Sequence, residues 1–257
     1  DTQDNEHAPI LPRVQEGSPM CTVIVHVPED PSMPTRLLAV RDEDPGRAWD
    51  PLGAWWPDTH PQVVGVRDAR AGGAWLAADT RSGRLAVILN RAELADVAPA
   101  DLGSRGHVVL DAVRGIEPPD RPRVHGFNLV EVTSAETRVT MWDGESVRTV
   151  VLGPGIHMIA HDDVDDPETA RIVQWRDAFP QPDAEGDGRW WTPWLDVLER
   201  TADLDPTDER AIIRDNRPYG YPTLSLLVTA ASVGRDGADV VYGELDTPGA
   251  WNRVELS

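Results

Sequence analysis

The sequence predicts an α+β protein whose antiparallel sheets are covered by helices, and three observations carry that prediction. Short segments of period-two apolar alternation recur along the chain, several are joined by tight hairpin signals, and the segments with helical spacing gather between two blocks of strands. A doubly wound parallel sheet would alternate strand and helix from end to end instead.

The elements follow in order. Asp1 to Pro19 is polar, contains Pro9, Pro12 and Pro19, and keeps no sustained period, so residues 1–19 read as a flexible lead, tag or propeptide before one domain over 20–257. Cys21 to Val27 is the first strand, with both faces partly buried, and Arg36 to Val40 is its return across the turn-rich Pro28 to Pro34. Cys21 and the segment Arg41 to Asp44 therefore fall at one end of a sheet. Gln62 to Val66 is a short strand; Ala74 to Thr80 and Arg84 to Asn90 flank Arg81, Ser82 and Gly83 as a hairpin. Ser104 caps a helix to Ala112, Val124 to Val132 returns to strand, and Arg138 to Trp142 and Ser146 to Val151 surround the turn Asp143-Gly144.

Helices come next. Asp166 followed by Pro167 predicts a cap and first turn running toward Phe179, and Asp205-Pro206 repeats the device. Trp191, Trp194, Leu195 and Leu198 recur at helical spacing and read as core. Strands return at Thr223 to Thr229 and Ala238 to Tyr242.

Composition bounds the function. With 24 basic and 44 acidic side chains the formal net charge is −20, a balance that repels phosphate backbones and anionic lipid, so no nucleic acid is expected as a partner. No apolar run reaches the length of a transmembrane helix, so no integral membrane segment is expected. Asp1 to Glu6 offers no basic region leading into an apolar one, and a cytoplasmic location is the expectation. One cysteine excludes an intramolecular disulfide and a cysteine-rich zinc site. His26, His107, His125 and His157 are scattered, the acidic run from His161 to Asp166 matches no calcium loop, and neither a Walker motif nor a dinucleotide fingerprint is present, so no cofactor is expected. Nothing in the sequence sets the oligomeric state.

Three local patterns single out Cys21. Met20-Cys21-Thr22-Val23 opens the first strand, Arg41-Asp42-Glu43-Asp44 leaves its neighbour, and Ala71-Gly72-Gly73-Ala74-Trp75 opens the next hairpin. Leu89-Asn90-Arg91, Ser104-Arg105-Gly106, Gly126-Phe127-Asn128-Leu129 and Ile156-His157-Met158 follow in order. Together these stretches resemble the NRDE family, which includes the eukaryotic transport-and-Golgi-organisation proteins and is itself similar to the cysteine N-terminal-nucleophile hydrolases. Val40 stands where the motif has asparagine, and Tyr219-Gly220-Tyr221-Pro222-Thr223 departs from the family's Tyr-Gly-Thr-Arg-Ser-Ser.

The resemblance implies a four-layer αββα sandwich, a strand at Ile156 to Met158, and a cysteine amidohydrolase or acyltransferase acting on a small-molecule amide or acyl substrate at a non-peptide carbon–nitrogen bond. Cys21 would be the nucleophile once its amine is exposed. By analogy with those hydrolases, Arg41 would stabilise the thiolate and Asp44 would orient the amine, with Asp42 as the competing choice. A thiol needs such a neighbouring cation to ionise at neutral pH. Asn90, at a strand end, is a candidate donor for a developing oxyanion, and Asn128, Trp75, His157 and Tyr219 are candidate substrate-binding residues. The alternative is a non-catalytic haem or small-molecule binding or trafficking protein, with His157 and Met158 as possible haem ligands.

Overall fold

The computed structural model describes residues 21–92, 102–182 and 188–257. The lead predicted over 1–19 lies outside these residues. Twelve strands are present among them: β1 (Thr22–Val27), β2 (Thr35–Glu43), β3 (Trp49–Gly53), β4 (Val63–Asp68), β5 (Ala74–Asp79), β6 (Arg84–Asn90), β7 (Phe127–Val132), β8 (Thr137–Trp142), β9 (Val147–Val151), β10 (Gly155–Ile159), β11 (Leu224–Gly234) and β12 (Gly237–Glu244). They form two sheets, one of five strands in the order β10-β1-β2-β11-β12 and one of seven running β3 to β9 in sequence order. Every pairing between these strands is antiparallel.

Three α-helices among the described residues complete the layers. α1 (Gly106–Ala112) lies against β5 and β6, while α2 (Ala170–Trp175) and α3 (Thr192–Thr201) supply the second core on the five-stranded sheet. The architecture is thus α+β with αββα-like layering.

β1 and β2 are buried on both faces, which is why their apolar residues run in both phases. Val23, Val25, Leu37 and Ala39 join the larger core; Ile24, Leu38 and Val40 join the core beneath the helices. At about 1.5–3 kcal/mol for each fully buried aliphatic side chain, these two strands anchor both layers. The tryptophan stripe is core, as its spacing predicts. Trp194 is fully buried, packs edge-on against Phe179 and Trp190, and donates its indole N–H to the Pro180 carbonyl at 2.7 Å.

The helix starts differ from expectation. Asp166 accepts the Thr169 hydroxyl at 2.6 Å and the Glu168 N–H at 3.3 Å, closing a turn, so α2 begins only at Ala170. Asp205 likewise accepts the Thr207 N–H and hydroxyl, and turns rather than a helix follow. α1 starts at Gly106, whose N–H reaches the Ser104 hydroxyl at 3.2 Å. β3 was not expected. It is an edge strand containing Pro51, with a register shift between Asp50 and Gly53, as the missing proline N–H requires.

Candidate functional site

Strand register builds the site. Thr22 pairs with Val40, so Cys21 and Arg41 follow side by side, and both residues line a cleft of about 350 Å³. Because side chains alternate along a strand, Arg41 points into this cleft while Asp42 is turned to the opposite face. The expectation that Cys21 and the Arg41 segment meet at one sheet end is met.

Trp75, at the start of β5, and Ile88 and Asn90, at the end of β6, form the opposing wall. Ser104 and His125 reach the cleft from the connections around α1. The loop before Trp75 is held by Asp68, which accepts the N–H groups of Arg70 at 2.9 Å and Ala71 at 3.0 Å, and its last residue, Gly73, lies directly against Gly106. Two motifs separate in sequence, Ala-Gly-Gly-Ala and Ser-Arg-Gly, are therefore one contact in space.

The thiol is not poised for attack. Cys21 is 5% exposed, receives the Asp42 N–H at 3.4 Å and donates to the Asp42 carbonyl at 3.6 Å. Burial, reinforced by the Asp42 charge, pushes it up to about 12, so it is a neutral thiol near pH 7. Arg41 pulls the thiol the other way but is outweighed by burial. One guanidinium nitrogen, Nη2, is given to Glu43 at 3.2 Å, and the guanidinium carbon stands 5.6 Å from the Trp75 ring centroid.

Behind the strand the Asp42 carboxylate accepts the Ser225 hydroxyl at 2.6 Å. Burial raises Asp42 to about 6, against the opposing pull of Ser225, Arg171 and Arg214. Arg214 bonds Asn216 at 2.9 Å, Asn216 donates to Thr223 at 3.0 Å, and Arg171 donates to Thr22 at 3.1 Å. Burial, with Arg214 nearby, lowers Arg171 to about 9. This layer braces the strands beneath the cleft and had no signal in sequence, since its members lie far apart along the chain.

Of the residues singled out by sequence, Cys21, Arg41, Trp75 and Asn90 line the cleft; Asp42 borders it, but its carboxylate is turned behind the strand to Ser225. Asp44 does not; its carboxylate accepts the Gly46 N–H at 2.8 Å in the turn after β2. Asn128 is fully buried, donates to the carbonyls of Ala160 at 2.9 Å and Asp162 at 2.7 Å, and accepts from Arg91 at 3.2 Å. It ties the strand β7 to the segment after β10. His157 has both ring nitrogens engaged, with Asp165 at 2.7 Å and the Gly153 carbonyl at 2.8 Å, and Met158 is fully buried beneath the helices. Neither faces the cleft, so the suggested haem pair has no geometry there. Tyr219 packs under Arg214 and donates its hydroxyl to the Thr207 carbonyl. Arg47, Ser104, Arg105 and His125 also line the cleft; of these only the Ser-Arg-Gly motif carried a sequence signal.

Among the described residues no group of three or more acidic, histidine or cysteine side chains has metal-binding geometry, and no helix is long and apolar enough to cross a membrane. A family model described as Transport and Golgi organisation 2 matches residues 20–185, well over half of the chain. No curated protein matches its sequence. The family finding corrects the amidohydrolase or acyltransferase expectation, because it places the chain among trafficking-associated proteins rather than enzymes of acyl transfer. The protonated, hydrogen-bonded Cys21 agrees physically with that correction.

Proposed function

The chain belongs to the Transport and Golgi organisation 2 family, and from that premise we propose that it is a non-catalytic protein that binds and hands on a small molecule held in the cleft beside Cys21. One observation supports this above others. The cleft, about 350 Å³, is of the size that takes a small organic ligand, and its wall offers polar contacts but a neutral, buried thiol where an enzyme would need an activated one. In this reading Cys21, Arg41, Trp75 and Asn90 are contact residues, and Asp42 fixes the strand that presents them. Asn128 and Tyr219 brace the scaffold.

The test is native mass spectrometry of the full chain isolated gently from its own host, beside Asn90→Trp, which fills the cleft from its wall. The wild type should carry a small molecule that is released on denaturation, and the variant should lack it. A bare chain in both preparations overturns the proposal.

A further inference from the structure

We propose that the group recognised in this cleft is a carboxylate, held by Arg41 and Trp75 together; the inference rests on the binding reading above and names the ligand's class. Nη1 of Arg41 and the indole nitrogen of Trp75 are both buried donors in residues that line the cleft, and neither has an acceptor among the described residues. Arg41 is 3% exposed and Trp75 6%. A buried donor left without a partner costs about 1–3 kcal/mol, and nearly all such groups in folded proteins are satisfied. Two of them in one cleft, with the Arg41 guanidinium carbon 5.6 Å from the Trp75 ring centroid, point to an acceptor that comes from outside.

The charges around the pair favour one negative charge. Glu43 already occupies Nη2 of Arg41 at 3.2 Å, so the guanidinium cannot grip a ligand through both terminal nitrogens. Arg47 is likewise paired with Asp68. Arg41 and Arg47 are thus each matched by a carboxylate, and a dianion such as phosphate would face Glu43 at close range. A planar monoanion with two oxygens fits better, one oxygen on Nη1 and the other on the indole N–H. Ile88 and the Trp75 ring give the remainder of the ligand an apolar wall. The ligand class is therefore a small monocarboxylic acid with an apolar body.

The experiment titrates the full, nitrogen-15-labelled chain at neutral pH with hexanoate, hexanamide and inorganic phosphate. The indole N–H signal of Trp75 is assigned through Trp75→Phe. Hexanoate should shift it saturably, and hexanamide and phosphate should bind about tenfold more weakly or worse, as loss of a charge-assisted hydrogen bond implies. Arg41→Met should weaken hexanoate by a similar factor; where that variant does not fold, Trp75→Phe, followed through the Cys21 amide, makes the same test. Equal binding of hexanoate and hexanamide overturns the carboxylate while leaving a ligand cleft. Preference for phosphate, unchanged affinity in a folded variant, or no shift with any probe also overturns it, and the separate mass measurement then decides whether the cleft holds some other molecule.

Discussion

Gly73 and Gly106 meet backbone against backbone. A Cβ built on Gly73 would stand 2.6 Å from the carbonyl carbon of Gly106, and one on Gly106 would stand 2.9 Å from that of Gly73. No side chain can yield to relieve either contact, since both partners are main chain. In an unhindered helix Gly106→Ala would gain about 1 kcal/mol. Here overpacking reverses the sign, and Gly106→Ala and Gly73→Ala are each expected to cost about 1–3 kcal/mol. The urea midpoint reads this directly; an unchanged or higher midpoint would mean that α1 does not sit so closely on the β5 loop.

The same contact shows what was legible in the sequence. The hairpins were, because Asp143-Gly144 and Ser82-Gly83 are local turn chemistry and the flanking alternation is strong. So was the Cys21–Arg41 juxtaposition, because one hairpin register fixes it. Helix starts were less so, since Asp166 and Asp205 spend their carboxylates on turns that resemble caps in sequence. Asn128, His157 and Tyr219 looked functional but are consumed by partners that only tertiary structure brings near. The Arg171–Asp42–Arg214 layer was invisible for the same reason.

The Cys21 thiol gives a second prediction. Held up at about 12, it is essentially all protonated at pH 8, whereas an unfolded chain carries the ordinary fraction of thiolate. Iodoacetamide should therefore label the folded chain about a hundredfold more slowly than the chain in denaturant, or slower still. The linkage has a defined sign: the folded state holds its proton more tightly, so this contribution is complete below the ordinary value of 9.0 and is lost as pH rises toward 12. Cys21→Ala should remove that part of the alkaline loss. Rapid labelling of the folded chain at pH 8 would contradict the burial that sets the thiol.

Asp42 titrates in the acid range with the same sign. Its folded value is raised from 3.8 to about 6, so the folded state binds the proton more tightly and Asp42's contribution falls as pH rises through that interval. Many other carboxylates also titrate there, so the informative quantity is the difference between wild type and Asp42→Asn. Asparagine keeps an oxygen to accept from Ser225 and carries no charge. The wild type should lose stability relative to the variant between pH 4 and pH 6, by a few kcal/mol at most at about 1.4 kcal/mol per unit. Parallel stability curves across that range would show that Arg171 and Arg214 offset the burial of Asp42 fully.

Asn128 separates scaffold from ligand site. Its amide donates to two carbonyls and its oxygen accepts from Arg91, with no part of the side chain exposed. Asn128→Ala removes all three bonds and opens a small void, and is expected to cost about 2 kcal/mol or more in urea unfolding. Asn128→Asp should be at least as damaging at neutral pH, because a carboxylate would then face the Ala160 and Asp162 carbonyls with no proton to give. Acidification should restore part of that loss, since the protonated acid regains one donor. Asn128 does not line the cleft, so the Ala variant, while folded, should bind hexanoate as the wild type does. Normal stability with abolished binding would instead make Asn128 a contact residue after all, and would require β7 to present it to the ligand rather than to the chain after β10.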